Sequence, residues 1–152
     1  MTEPIILKPG EGRSIPLGNF AMSFKASAED TDGTFSLLQA DEPSGFGPPM
    51  HIHHDCAEAF YVLEGEYRIF IGEDEHVCPA GSFVFIPAGV IHGFRVGEEP
   101  SRKLNLYSPA GMVGYFDELS AALDRGAADE ELAGIAERHG MEITGLIPEG
   151  YI

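Results

Sequence analysis

The chain has 152 residues, a length that fits one domain around a single hydrophobic core. Its 25 acidic and 9 basic residues give a formal net charge of −16, which repels nucleic-acid phosphates and anionic membrane surfaces and argues against both as partners. The first residues lack a signal-peptide pattern and no run of about 18 apolar residues follows, so we expect a cytoplasmic protein.

Short apolar runs separated by Gly, Pro and Asp clusters make up the first two thirds of the chain. This spacing is typical of a mainly β fold, an antiparallel sandwich or barrel, and we place the barrel core at about residues 13–107. The predicted strands are Asn19–Lys25, Thr34–Ala40, Ala59–Leu63, Glu66–Ile71, Ser82–Ile86, His92–Val96 and Arg102–Tyr107. The turn sequences at 63–66 and 72–75 predict two successive hairpins.

The strand that begins at Glu58 has two largely apolar faces. Alternate residues share a face, which puts Glu58, Phe60 and Val62 on one side and Ala59, Tyr61 and Leu63 on the other. We expect one face to line the barrel and the other to pack on a second sheet or a second subunit.

Two helices are predicted after Tyr107, where the apolar period changes from two residues to between three and four. They span Met112–Asp124 and Asp129–His139 and form a C-terminal helical extension of about residues 111–140. Residues 141–148 are apolar enough to lie against the barrel.

Four ligand-type side chains lie in or beside the predicted strands: His51, His53, Glu58 and His92. His51 and His53 are two residues apart, so on a strand both imidazoles point to the same face and can converge on one ion. A short loop returns the Glu58 carboxylate toward them, where it can also accept a proton from a substrate. Three imidazoles and one carboxylate form a ligand set for one divalent transition metal, and such a set accepts Fe, Mn, Ni, Co, Cu or Zn.

Glycine and proline recur at fixed positions around these ligands. The first block is Gly45, five residues, His51-x-His53, four residues, Glu58, six residues and Gly65. The second block is Gly81, five residues, Pro87-x-Gly89, two residues and His92. Together they resemble the two signature motifs of the cupin superfamily, and the resemblance implies one double-stranded β-helix, or jelly-roll, domain over residues 1–152.

Further segments narrow the resemblance to small single-domain bacterial cupins of the quercetin 2,3-dioxygenase-like group: 58–66, 108–111, 115–119 and 139–142. The group implies metal on three His and one Glu, and a dioxygenase that uses O₂ on a small, apolar, oxygen-chelating substrate such as a flavonol or an enol or diketone. In that role Glu58 takes the proton of the substrate. The alternatives are a non-catalytic cupin that uses its metal to bind or sense a small molecule, and a redox-neutral isomerase or hydrolase. Homodimers are common among cupins, and a second copy would cover the apolar outer face.

Residues near the ligands predict the substrate pocket. Phe60 and Phe94 each lie two residues from a ligand candidate and on its face, so we expect them in the pocket wall, with Met50 near the mouth. Cys56 lies between ligand candidates; we interpret it as a structural thiol and keep it as a further ligand candidate. The second motif usually ends with Asn at the position of Val96, a departure that leaves the implied ligand set intact.

Overall fold

A computed structural model describes residues 2–145 of the chain. Its strands are β1 (Arg13–Leu17), β2 (Phe20–Ala26), β3 (Ser36–Glu42), β4 (Met50–His53), β5 (Ala57–Glu64), β6 (Glu66–Ile71), β7 (Asp74–Pro79), β8 (Phe83–Ile86), β9 (His92–Val96), β10 (Ser101–Ser108) and β11 (Met141–Gly145). Its helices are α1 (Ala28–Thr31), α2 (Met112–Asp124) and α3 (Asp129–Arg138). The seven predicted strands and both predicted helices are present, with ends displaced by 2 residues or fewer.

The strands form two antiparallel sheets that face each other. One sheet has the order β1-β2-β3-β10-β5-β8 and the other has the order β11-β4-β9-β6-β7. The hairpin predicted at 72–75 is confirmed, because Ile71 pairs with Asp74 between β6 and β7. The hairpin predicted at 63–66 is wrong: β5 and β6 belong to different sheets, and Gly65 turns the chain from one sheet to the other. A Cβ at Gly65 would lie 2.1 Å from Ser101 Oγ, so the corner excludes a side chain.

Strand register arranges the interior of the barrel in layers. On β10, Tyr107 pairs with Glu58, Asn105 with Phe60, and Lys103 with Val62. On the opposite sheet, His92 pairs with Ile71, Phe94 with Ile69, and Val96 with Tyr67. Successive pairs are two residues apart along their strands. They therefore point to the same face and lie about 7 Å apart along the barrel. Glu58 and His92 therefore belong to one layer, Phe60 and Phe94 to the next, and Val62 and Val96 to the third.

The C-terminal segment packs on the barrel at the end where Glu58 and His92 lie. Helix α2 contacts β1 and α3, and α3 contacts β11. Strand β11 pairs with β4, which places Met141 opposite His53 and Ile143 opposite His51. The predicted apposition of the tail to the barrel is thus found for residues 141–145, and residues 146–148 lie outside the described part of the chain.

The two faces of β5 differ in exposure. Phe60 and Val62 are buried, so theirs is the face that lines the barrel, whereas Tyr61 and Leu63 on the other face are 46% and 38% exposed. Phe83 and Phe85 of β8 lie beside them and are also exposed. The longest helix, α2, has 13 residues, and within residues 2–145 no helix has the length and apolarity of a membrane span.

Candidate metal centre

Strand pairing brings the four predicted ligands together. His51 on β4 is paired with His92 on β9, and their ring centroids are 4.4 Å apart. His53 lies beside His51, at 4.9 Å between ring centroids, and Glu58 faces them from the other sheet. His53, Glu58 and His92 are buried. One ligand atom from each of the four residues can be chosen so that all lie within 4.8 Å of one another.

Backbone carbonyls orient two of the imidazoles. Nδ1 of His51 lies 2.8 Å from the carbonyl oxygen of Pro49, and Nδ1 of His92 lies 2.9 Å from that of Val90. A carbonyl only accepts, so each Nδ1 carries the donated proton and the remaining ring nitrogen, Nε2, is the one available to a metal. The prolines and glycines around these ligands thus shape the short segments that supply the orienting carbonyls.

Glu58 is the centre of the hydrogen bonding in the cluster. Its Oε1 lies 2.8 Å from His92 Nε2 and 3.6 Å from His53 Nε2, and its Oε2 accepts a hydrogen bond of 3.1 Å from Asn105 Nδ2. Burial raises the pKa of the Glu58 carboxyl, but the imidazoles of His53 and His92 outweigh it and hold the pKa well below its usual range. The carboxylate is therefore ionised at neutral pH.

Burial and Glu58 shift the pKa values of His51 and His92 in opposing directions, and the balance differs between the two residues. Burial, with His92 as the next cause, lowers the pKa of His51 to about 3, so its imidazole is neutral. Burial also lowers the pKa of His92, but the hydrogen bond and charge of Glu58 outweigh it, and the net pKa is raised. The cluster thus attracts positive charge to the space between Glu58 and the imidazoles.

The donor set fits a first-row transition metal. Both ring nitrogens of His53 are buried without a hydrogen-bond partner among residues 2–145, which is costly unless another group uses them. Metal-to-nitrogen bonds are about 2.0–2.1 Å long, so two donors on one ion lie at most about 4.2 Å apart. The observed spread of 4.8 Å requires only a small adjustment. We conclude that these four residues are positioned to hold one ion.

A largely apolar cavity of about 180 Å³ extends from the cluster into the barrel. Phe60 and Phe94 line it, together with Tyr115 and Phe116 of α2, and their contact with a substrate remains a prediction. Met50 is not among the cavity-lining residues of the described chain, and it packs with Phe70 and Ile91 instead. A substrate contact by Met50 remains a prediction.

Two features near the ligands are structural in this chain. Cys56 is half-buried and packs against the core that contains Tyr107, outside the four-residue ligand group. Burial, followed by the charge of Glu58, raises the pKa of its thiol to about 11, which favours the protonated form over the thiolate that metals bind. Val96, at the motif position that usually holds Asn, is 1% exposed in the same core cluster as Phe60 and Phe94.

The structure adds cavity residues that the sequence patterns did not identify. Asn105 and Tyr107 lie beside Glu58, and Glu42 and Lys103 line the deeper part of the cavity. Burial, then the charge of Glu58, raises the pKa of Tyr107 well above its usual range, so its hydroxyl stays protonated. The only sequence signal for these residues is the alternation of Lys103, Asn105 and Tyr107 along β10.

Residues 37–107 match the family described as Cupin domain. Over 116 residues the chain is 27% identical to a quercetin 2,3-dioxygenase of Bacillus subtilis, covering 76% of this chain and 34% of that protein. It spans about half of the two other curated relatives it matches, at 50% and 53% of their lengths.

Solved structures resemble the chain in fold. The structure of KdgF from Halomonas sp. has a TM-score of 0.63 at 16% identity, covering 70% of this chain and 94% of that one. The polyketide cyclase RemF from Streptomyces resistomycificus has a TM-score of 0.60 at 20% identity, covering 70% and 80%. At these identities the likeness establishes the fold alone.

Proposed function

Because the chain belongs to the cupin superfamily, we propose that it is a metal-dependent oxidoreductase, a dioxygenase that acts on a small, apolar, oxygen-chelating substrate. The observation that carries the proposal is the buried set of His51, His53, Glu58 and His92 at the wall of an apolar cavity. The partial similarity to a quercetin 2,3-dioxygenase supports this reaction class.

The proposed roles follow from where the side chains lie. His51, His53, Glu58 and His92 would hold the ion, and a redox-active ion with open coordination positions supplies Lewis acidity and electron transfer. The ionised Glu58 carboxylate accepts the acidic proton of the substrate, while Asn105 holds Oε2 at 3.1 Å. Phe60 and Phe94 exclude water from the reacting group.

The size of the cavity favours the smaller of the substrate classes. Pockets for drug-sized ligands measure roughly 300–1,000 Å³, whereas this cavity measures about 180 Å³. A one-ring or open-chain enol or diketone fits such a volume better than a three-ring flavonol. We therefore propose a small enol or diketone as the substrate, bound through two adjacent oxygens.

Oxygen uptake tests the proposed reaction. The protein is reconstituted separately with Fe, Mn, Co, Ni, Cu or Zn and offered small diketones, hydroxypyranones and flavonols, with His54→Ala as an exposed-histidine control. We expect O₂ consumption with at least one redox-active metal and one small enol or diketone. Turnover that continues without O₂ would instead indicate the isomerase or hydrolase, and tight binding without consumption would indicate the binding or sensing module.

We also propose a homodimer formed through the outer face of β5 and β8. Tyr61, Leu63, Phe83 and Phe85 expose a contiguous apolar surface there, of the kind that marks interfaces in soluble proteins. Light scattering should give the mass of a dimer, and Phe83→Glu with Phe85→Glu should give a monomer. A monomeric mass for the wild-type protein would contradict the proposed dimer. A cytoplasmic location remains a prediction that cell fractionation can test.

A further inference from the structure

A lysine and a glutamate form a buried ion pair inside the barrel. Lys103 is 1% exposed and Glu42 is 2% exposed. The Lys103 Nζ lies 2.9 Å from Glu42 Oε1, and the same oxygen accepts a hydrogen bond of 2.9 Å from the Tyr67 hydroxyl. Nζ also lies 4.3 Å from the centroid of the Phe94 ring, over its face. Burying two charges is costly, so a pair like this calls for a reason beyond stability.

Two buried acceptor oxygens near this pair lack a hydrogen-bond donor within the described residues. Glu42 Oε2 is buried and has no hydrogen-bond partner among residues 2–145. The same holds for Asn105 Oδ1, although Asn105 Nδ2 donates to Glu58. Both residues line the cavity, together with Lys103. The cavity thus contains two unpaired acceptors, which a ligand that donates hydrogen bonds would satisfy.

These acceptors lie further along the same cavity than the metal centre. On β9, Phe94 is two residues from His92, a step of about 7 Å along the strand. The ammonium of Lys103 lies against Phe94, and Asn105 lies on β10 between Lys103 and Tyr107. A molecule held by two oxygens at the histidines would therefore extend past Phe60 and Phe94 toward Glu42.

We propose that Glu42, Lys103 and Asn105 form a second polar subsite, which binds a neutral hydroxyl group at the far end of the substrate. This inference rests on the proposed function, because it takes the chelating end of the substrate to lie at the metal centre. It narrows the substrate class to small enols or diketones that carry a hydroxyl group remote from the chelating oxygens.

The charges at the subsite select a neutral donor. The positive charge of Lys103 is compensated by Glu42, so no net positive charge is left to attract a carboxylate. An ammonium group would meet Lys103 as a like charge. A hydroxyl donates to Glu42 Oε2 and can accept from the ammonium, so it pairs the buried carboxylate oxygen without adding charge.

Two probes that differ by one hydroxyl test the subsite. Kojic acid is a one-ring hydroxypyranone with a hydroxymethyl group, and allomaltol has a methyl group in its place; both chelate through adjacent hydroxyl and keto oxygens. Their affinities are measured by calorimetry on zinc-loaded, oxygen-free protein, so that neither probe is consumed. We expect kojic acid to bind wild-type protein about tenfold or more tightly than allomaltol, because its hydroxyl pairs a buried carboxylate oxygen.

Variants assign the preference to Glu42. Glu42→Gln should bring the affinity ratio of the two probes close to one while zinc content and allomaltol affinity change little. The double variant with Glu42→Gln and Lys103→Met removes both charges together and should lose the ratio as well, which covers the case in which the single variant does not fold. Glu64→Gln makes the same chemical change at an exposed carboxylate and should keep the wild-type ratio.

A wild-type ratio near one, or a ratio unchanged in the folded variants, would overturn the subsite and leave the ion pair a purely structural feature. Failure of both probes to bind would also overturn it. The proposed function is decided separately by metal content and oxygen uptake.

Discussion

The cavity has two polar ends that are built from the same chemistry in different ways. At the histidine end, Glu58 faces three imidazoles, two of which have backbone carbonyls to fix their tautomer. At the lysine end, Glu42 faces the ammonium of Lys103, which lies over the ring of Phe94. Each end pairs one buried carboxylate with positive charge. At the lysine end the positive charge belongs to a side chain, whereas the histidine end provides ligands for a metal ion that must be added.

This difference predicts which property the protein loses when either end is altered. The lysine end has both of its charges in the polypeptide, so the loss of either charge should appear as a loss of folding stability. The histidine end requires an added ion, so its failure should appear as a loss of metal and of the stability that metal binding brings. The following changes test that division.

The largest expected loss of stability comes from removing the lysine alone. Lys103→Met leaves the Glu42 carboxylate buried and uncompensated, which should lower the free energy of unfolding by about 3–5 kcal/mol. Urea unfolding with circular dichroism measures this loss. The double variant, Lys103→Met with Glu42→Gln, should be clearly more stable than Lys103→Met alone. Equal losses of stability in both variants would show that lost packing of the lysine side chain, and not the unpaired charge, causes the loss.

Metal removal should have the next largest effect. At a free metal concentration about 100-fold above Kd, binding stabilises the folded chain by about 2.7 kcal/mol. Thermal unfolding before and after chelation should therefore differ by about 5–10 °C in Tm. The His51→Ala variant should show no such difference, and a chelator effect that persists in it would place the stabilising ion elsewhere.

Asn105 joins the two ends, so its loss should weaken metal binding without abolishing it. Asn105→Ala removes the hydrogen bond to Glu58 Oε2, and the loss of such an orienting partner typically lowers metal affinity about 10- to 100-fold. Competition with a metal-sensitive dye gives the affinity. Asn19→Ala, in an exposed turn, serves as the control and should retain wild-type affinity.

The smallest effect is expected at an exposed ion pair. Arg13 and Asp117 link β1 to α2 with side chains 58% and 42% exposed. Asp117→Asn should cost less than about 1 kcal/mol, and the loss should decrease further in salt. A loss of stability as large as that of Lys103→Met would show that burial does not determine how much each ion pair contributes.

The histidine end was predictable because its ligands lie in two short motifs. His51, His53 and Glu58 are close in sequence, and His92 follows a Pro and Gly turn, so local spacing identified all four. Strand periodicity likewise predicted most of the central strands. β7 was not predicted because its residues are mostly exposed and carry little apolar alternation.

The lysine end was not predictable, because its members are distant in sequence and contradict the simplest interpretation of their strand. Along β10, alternation sets Leu104 and Leu106 against Lys103 and Asn105, and hydrophobicity alone would favour the leucines as the inner face. The structure has the reverse: Lys103 and Asn105 are buried in the barrel. Their partners Glu42 and Glu58 come from other strands, and these contacts help to offset the cost of burying the polar groups. The corner at Gly65 likewise involves a residue distant in sequence, since Ser101 occupies the space that a Cβ at Gly65 would need.

Elemental analysis of the purified protein tests the central claim most directly. Wild-type protein should contain about one divalent transition metal per chain, and His51→Ala and Glu58→Gln should contain little or none, with His54→Ala retaining the wild-type amount. Undiminished metal in both His51→Ala and Glu58→Gln would contradict the assignment of the site.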